Sequence, residues 1–326
     1  MTPDFEVLAA GINITSQVKD RLMSLTVTDE AGFKSDAVAI SLDDRDGEVE
    51  LPFPGAPLVV AMGYEETFLM PMGLYTSDEV VMKGMPATLT IRGKAADMGG
   101  SIKEQKTRSW DENTIREIVE EIAAEHGLEA QVAEVYADFF YEHLDQTDES
   151  DINFLTRIGK DHDAIVSVKG GALLFMGKGE GKTALGLPMI PRFIYRTGKT
   201  TYSATLANRE NFKTVEAFWH DHKTGERQKV TEGEGAPIKR LRHNYPNEKE
   251  AKQAAKAKLD EMKRGNDTLT VTLPGDPFIA AEGQIIAIGF RVGIDGLWSV
   301  KSVTHAITGS GYKTTIRCEK PKSEGG

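Results

Sequence analysis

The sequence predicts a mainly β protein with an α/β insertion (α+β overall), in which two similar β-barrel domains flank a smaller α/β module. Three observations predict it. Short runs that alternate apolar and polar residues, punctuated by many of the 32 glycines, fill both ends of the chain. Residues 106–190 switch to helical periodicity. Four blocks from the first end recur, in the same order, near the last.

Residues 1–105 form the first expected β-barrel domain, since Leu22 to Asp29, Val38-Ala39-Ile40-Ser41-Leu42 and Leu89-Thr90-Ile91 all alternate. In the 106–190 module, Ile115, Ile118, Val119, Ile122 and Ala123 share one helix face. Thr114 and Glu117 have capping-box spacing, and Gly127 is a C-terminal stop. A second helix is expected to start near Asp148 or Ser150 and to bury Phe154, Leu155 and Ile158. A hairpin follows, with Val166 and Val168 before the Gly170-Gly171 turn and Leu173 to Met176 after it. Residues 191–245 read as a β segment that includes Val215 to Trp219, with a polar linker from Lys223 to Pro237, and are expected to complete the first barrel. Residues 246–326 supply a helix over 247–264 and then the second barrel. On that helix Ala251, Ala254, Ala255, Ala257, Leu259 and Met262 make a thin packing face, and the lysines make a solvated one.

The repeat is read from four matched blocks. Asp36 to Leu42 has the pattern of Asp267 to Leu273, and Val60-Ala61-Met62-Gly63-Tyr64 is matched with Ile286-Ala287-Ile288-Gly289-Phe290. Gly73-Leu74-Tyr75-Thr76 with Val80 matches Gly296-Leu297-Trp298-Ser299 with Val303, and Thr90-Ile91-Arg92 matches Thr315-Ile316-Arg317. A glycine two residues before an aromatic in both copies suits a strand that bends at a corner.

Composition narrows the function. The chain has 326 residues and a net charge of -11, an acidic balance that argues against a protein whose main task is gripping phosphates. The lone Cys318 excludes an internal disulfide and a multi-cysteine zinc cluster. The start, Met1 to Glu6, has no basic and apolar leader, and no apolar run is long enough to span a bilayer. The expectation is a soluble multi-domain protein of a reducing compartment.

Motif-like stretches fail on their details. Gly177 to Thr183 lacks the first glycine of a P-loop, where Met176 stands, and Gly198-Lys199-Thr200-Thr201 has Phe193 in that place. Trp219-His220-Asp221-His222 has no companion ligands with metal spacing. Asp43 to Gly47 lacks the closing glutamate of a calcium loop and reads as turn chemistry. Asp148, Glu149 and Asp151 read as acids complementing a helix N-terminus rather than as a catalytic pair. No catalytic, cofactor or metal residues are assigned.

Gln146, Glu149-Ser150-Asp151, Phe154-Leu155 and Arg157-Ile158 resemble the signature of the phage late control gene D family, shared with the hub portion of the VgrG proteins of type VI secretion. Arg21 to Asp29 with Asp36 and the Asp44 to Gly47 turn are similar too, as are Ser109-Trp110, Glu125 to Leu128, Trp298-Ser299-Val300, Val303 to His305 and Gly311 to Thr314. The resemblance covers nearly the whole chain and is weakest over 180–240. It implies two tail-tube-like barrels and makes Gln146, Glu149, Ser150, Asp151, Phe154, Leu155, Arg157 and Trp298 structural signature residues.

The resemblance further implies a non-enzymatic baseplate hub of a contractile phage tail or an R-type bacteriocin. Three copies would form a pseudo-six-fold ring between the tail tube and a central spike. Its implied partners are its own copies in a homotrimer, a trimeric spike protein, tail tube or tube-initiator proteins and other baseplate proteins, with DNA at most passing through the channel. VgrG proteins continue into a long spike, whereas this sequence stops soon after Thr315, so a separate spike polypeptide is expected. Assembly would occur in the bacterial cytoplasm, ending in a virion or phage-tail-like particle. The competing reading is a tail protein that binds or cleaves peptidoglycan through the 106–190 module, with Trp110, Tyr136, Phe139, Phe140 and Tyr141 stacking on sugars.

Overall fold

Period-two alternation dictates the first end of the chain, because a strand with one buried face must place its apolar residues at every second position. The computed structural model describes residues 1–32, 36–95, 100–169, 171–178, 189–206, 212–221, 224–264 and 267–321. Its first elements are β1 (Pro3–Ala9), β2 (Ile12–Asn13), the short helix α1 (Thr15–Lys19), β3 (Leu22–Glu30), β4 (Ala37–Asp43), β5 (Pro57–Tyr64), β6 (Leu69–Lys83) and β7 (Thr88–Ala95). They pair in the order β3-β4-β7-β6-β5-β1-β2. Leu25, Val27, Val38, Ile40, Leu58, Val60, Met62 and Leu89 point into one core. The two ends of this curled sheet are joined by α1, which buries Val18 in the same core.

The middle module follows with β8 (Gln105–Thr114), α2 (Ile115–Glu125), β9 (Glu129–Val132), the single-turn α3 (Glu134–Ala137), β10 (Phe140–Ser150), α4 (Asp151–Asp161), β11 (Ala164–Lys169) and β12 (Ala172–Gly177). Thr114 and Glu117 form the reciprocal capping box that starts α2, and Gly127 at φ +66° leaves it. Ser150 caps α4 by accepting from the Asn153 amide, while Asp148 stays in β10. The faces of α2 and α4 pack on Trp110, Leu173 and Phe175 in a separate core.

The rest comprises β13 (Arg192–Tyr195), β14 (Thr201–Thr205), β15 (Thr214–Asp221), β16 (Glu226–Gly233), β17 (Ile238–Tyr245), α5 (Glu248–Arg264), β18 (Thr268–Pro274), β19 (Gln284–Ile288), β20 (Gly296–Thr308) and β21 (Gly311–Glu319). Two expectations for 191–245 are corrected. This segment does not complete the first repeat: β13 pairs with β19 and β14 with β18, both in the second. The polar stretch expected to be a linker holds β16, which pairs with β15 over eight residue pairs. Strand β16 alternates in polarity rather than in obvious hydrophobicity, with Val230 half-buried towards α5, so its period is hard to see. Ala251, Ala254, Ala255 and Leu259 of α5 close the small core over β15. Among the described residues no helix is long and apolar enough to cross a membrane.

The repeat is present in the ladders themselves. Strands β4-β7-β6-β5 and β18-β21-β20-β19 have one order. Ile40 faces Ile91 and Val80 faces Ile91, just as Val271 faces Ile316 and Val303 faces Ile316. A bulge falls between Ser77 and Glu79 in β6 and between Val300 and Ser302 in β20, at the matching position. The indole of Trp298 donates to Ile294 O (2.6 Å) in the loop before β20, and the Tyr75 hydroxyl donates to Met72 O (2.8 Å) at the β5–β6 bulge within its own strand. One block of the sequence match shifts by a residue. Gly73 faces Val60 and Gly296 faces Ala287, so Val60 corresponds to Ala287 and not to Ile286. A one-residue slip exchanges the two faces, and burial of Leu58 and Val60 matches that of Ile285 and Ala287.

The expectation of two β-barrel domains, or strongly curved sheets, flanking an α/β module is met in its mainly β character, without a closed barrel among the described residues. Both repeats belong to a single 13-stranded sheet, and no ladder closes either repeat among the described residues. The second repeat nevertheless curls: β13 and β14 lie at its opposite ends, yet only residues 196–200 connect them, a reach of roughly 22 Å at most. The repeats join where β20 pairs with β3, Thr304 facing Thr28. Asp29 on β3 locks this seam, accepting from Ala281 N (2.7 Å) and pairing with Lys169 of the middle module (2.9 Å).

Gly73 (φ +138°) and Gly296 (φ +119°) occupy the same corner of the two repeats. Gly73→Ala and Gly296→Ala are each expected to lower stability by about 1–3 kcal/mol. Urea denaturation of the single variants checks this; an effect in only one would separate the two corners.

Candidate functional site

The signature residues sit where β10 turns into α4. Strands β8 and β10 pair so that Arg108 faces Gln146 and Trp110 faces Leu144, and a bulge between Gln146 and Glu149 then redirects the chain into the helix. Asp148 takes φ +47° within that bulge. This geometry places Gln146, Ser150 and Asp151 inside the protein, each almost wholly buried.

Asp151 is the centre. Its Oδ1 accepts from Arg108 (2.8 Å) and from the Gln146 amide (2.8 Å), and its Oδ2 from Lys106 Nζ (2.6 Å) and His126 Nε2 (2.8 Å). Gln146 uses its other groups on Arg108 Nε (3.0 Å), the Trp110 indole (3.2 Å) and Glu149 O (2.9 Å). Glu125 bridges Lys106 and Arg108 from the solvent side. Burial alone would push the Asp151 carboxyl up, but hydrogen bonds from Gln146, Lys106 and His126 and the charge of Arg108 outweigh it and hold the group down at about 2. Lys106 is correspondingly raised: burial opposes its charge, and the bonds to Asp151 and Glu125 overcome it.

Beside this clasp runs a chain of stacked groups. The Arg108 guanidinium lies 4.2 Å from the Trp110 ring centroid, Trp110 stacks on Phe154 (5.8 Å, 12°), and Arg157 lies 5.2 Å over Phe154. Arg157 in turn grips Glu149 through Nε (3.2 Å) and a terminal nitrogen (2.9 Å) and donates to Asp145 O. Leu155 is fully buried beneath them. Seven of the eight signature residues therefore meet in one place. The eighth, Trp298, lies in the second repeat, with Lys320 3.9 Å over its ring.

Asp151 does open α4, where an acid complements the helix N-terminus, and it is in addition fully enclosed and carries four donors. The site is poorly suited to acid catalysis: a carboxyl held near 2 has no proton to give at neutral pH. Glu125, His126 and Asp151 approach as a metal triad would, yet Lys106 and Arg108 already neutralise them, and a divalent ion would have to displace both. The proposed sugar platform also dissolves, since Trp110, Tyr136 and Tyr141 are buried, Phe139 packs against the core, and only Phe140 is exposed.

Other candidates are turns or lie apart. Asp43, Asp44 and Asp46 accept from the amides of Arg45, Val49 and Glu48, and Arg21 pairs with Asp46. His220 is on exposed β15 positions, whereas His222 and residues 179–183 lie outside the described residues. Sequence reasoning missed Lys106, Arg108, Glu125 and His126 as partners of the signature. The available signal was Lys106, Arg108 and Trp110 alternating on one strand face, two basic residues aimed where the acids lie.

Asp151→Asn leaves Lys106 and Arg108 short of a counter-charge and is expected to cost about 3–5 kcal/mol at pH 7 by chemical denaturation. Because the folded carboxyl lies below its unfolded value of 3.8, its stabilisation is complete above roughly pH 5 and fades as pH falls through about 2. The gap between wild type and Asp151→Asn should narrow over that window; a gap constant from pH 7 to pH 2.5 would contradict the assignment.

Residues 77–311 match the phage tail baseplate hub (GPD) family. The chain is 33% identical to the "Probable baseplate hub protein" of Escherichia phage 186, over 99% of this chain and 94% of the relative. Its fold is similar to that of the 43 kDa tail protein of prophage MuSo2 from Shewanella oneidensis (TM-score 0.71, 14% identity, 98% of this chain and 99% of that one). It is also similar to the E. coli c3393 protein, described as a component of the type VI secretion system (TM-score 0.56, 11% identity, 99% and 78%). Two repeats in one sheet, a signature gathered around Asp151 and a match along nearly the whole length lead to one conclusion: the chain belongs to the phage tail baseplate hub family.

Proposed function

We propose that three copies of this chain form a ring that joins a contractile tail tube to a central trimeric spike, and that its role is mechanical rather than enzymatic. The observation that carries this reading is the internal repeat, equal in strand order, register and bulge position. Three chains with two such repeats offer six similar repeats to a six-fold tube, while the true symmetry stays three-fold for the spike. Tube-initiator and other baseplate proteins complete the surroundings, and DNA at most passes through the channel.

In this reading residues 1–105 and 246–326 are the tube-like parts and 106–190 the inserted module, with 191–245 serving the second repeat and the sheet under α5. Gln146, Glu149, Ser150, Asp151, Phe154, Leu155 and Arg157 keep the module rigid against thrust, and Trp298 does so for the corner of the second repeat. No cofactor is required. The particle, phage or bacteriocin, is assembled in the bacterial cytoplasm and carries the hub in its baseplate.

Light scattering of the purified protein, alone and co-expressed with the candidate spike, tests the reading. The expected mass is about 107 kDa, three times the 35.7 kDa chain, or a complex of three hubs with three spike chains. A chain that stays monomeric and ignores the spike would refute it.

A further inference from the structure

The seam inside the chain can be compared with the strand edges that the two repeats leave unpaired among the described residues. At the internal seam β3 lies between β4 and β20, and its inward residues Leu25 and Val27 are fully buried. In the second repeat β14 stands beside β18 as β3 stands beside β4: Tyr202 faces Val271 where Leu25 faces Ile40, and Ala204 faces Leu269 where Val27 faces Val38. Yet among the described residues β14 has no neighbour on its far side. In the first repeat, β6 beyond Ser77 corresponds to β20 beyond Val300, and among the described residues it pairs with β7 alone. Among the described residues the chain thus has two strand edges without a neighbour that are the counterparts of the two edges joined inside it. Open edges of this kind invite pairing.

The side chains repeat the message. At the internal seam Val303 and His305 of β20 are buried, opposite Asp29 and Val27. Their counterparts on β6 are Val80, only half-buried, and Met82, 64% exposed although it faces the buried Leu89 and so lies on the core side of the sheet. On β14 Tyr202 and Ala204 are half-buried, and the following Leu206 is 50% exposed. These apolar groups lie where, at the internal seam, the next strand covers their counterparts.

We infer that a second copy of this chain supplies it: β14 of one copy adds, antiparallel, to the edge of β6 in the next, with Met82 opposite Ala204 and Val80 opposite Leu206. The inference rests on the ring reading and assigns its contact. Transferring the internal register gives those pairs directly, because His305 faces Val27 and Val303 faces Asp29. Three internal seams and three such contacts make six equivalent junctions, so one sheet runs round the whole ring.

Two single variants, Met82→Cys and Ala204→Cys, are mixed and oxidised. Directly opposed residues bring Cβ atoms to about 4.5–5.5 Å, near disulfide range, and the native Cys318 is buried with its thiol pushed up, so it stays silent. A disulfide-linked dimer in the mixture, absent from either variant alone, is expected. In parallel, Met82→Lys and Leu206→Lys, both at exposed positions, should drop the mass from three chains to one with the melting temperature unchanged. A ring that keeps its mass in both lysine variants, with no disulfide in the cysteine mixture, overturns the inference and leaves the ring standing. Loss of the spike alone from Met82→Lys, with the hub mass unchanged, assigns the edge to the spike and overturns it too. A wild-type chain that never associates, with or without spike, refutes the ring reading first.

Discussion

Backbone pairing between residues 24–30 of β3 and residues 302–308 of β20 makes one sheet out of two repeats, and most of the architecture depends on it. Pairing on both sides gives β3 the environment of a central strand, which is why Leu25 and Val27 are buried while their counterparts on β14 are not. The same seam places Asp29 where it can bind the Ala281 amide of the second repeat and Lys169 of the inserted module, so one carboxylate on one strand touches all three parts. Ile307 and Tyr312, from the far end of the sequence, pack into the core of the first repeat.

The inserted module obeys a different logic. Its helices bury an apolar face, but its most enclosed polar group is a charge. Burying a carboxylate is costly unless its lone pairs are all used. Asp151 meets that condition with two cations, an amide and an imidazole. The Gln146 side chain serves strand, bulge and helix at once, which explains why an uncharged residue sits among so many ions. The bulge between Gln146 and Glu149 and the bonds to Asp151 lie where strand β10 gives way to helix α4.

Local chemistry was legible in the sequence. Thr114 with Glu117, Ser150 and Gly127 announce helix ends because caps are made within four residues. The repeat was legible because alternation and a glycine-aromatic corner survive as patterns. Its β5 block slipped by one since Val60 and Ile286 are alike in type, and only cross-strand partners tell the faces apart. The ownership of β13 and β14 was not legible: no local feature of Arg192 to Thr205 says which of two similar sheets it joins. Nor were Lys106 and Arg108, since an exposed-looking alternation of basic residues carries no mark of the acid it will meet some 40 positions later.

The row Thr201, Thr272, Thr315, Thr304 and Thr28 crosses five neighbouring strands on one face, and its last member is made long before the others. During synthesis at roughly 5–20 residues per second, β3 leaves the ribosome tens of seconds ahead of β20. Throughout that interval its far edge has no partner, and Leu25 and Val27 are covered on one side only. The nascent chain therefore holds an open sheet edge for most of its manufacture, and the last strands to appear are the ones that shut it.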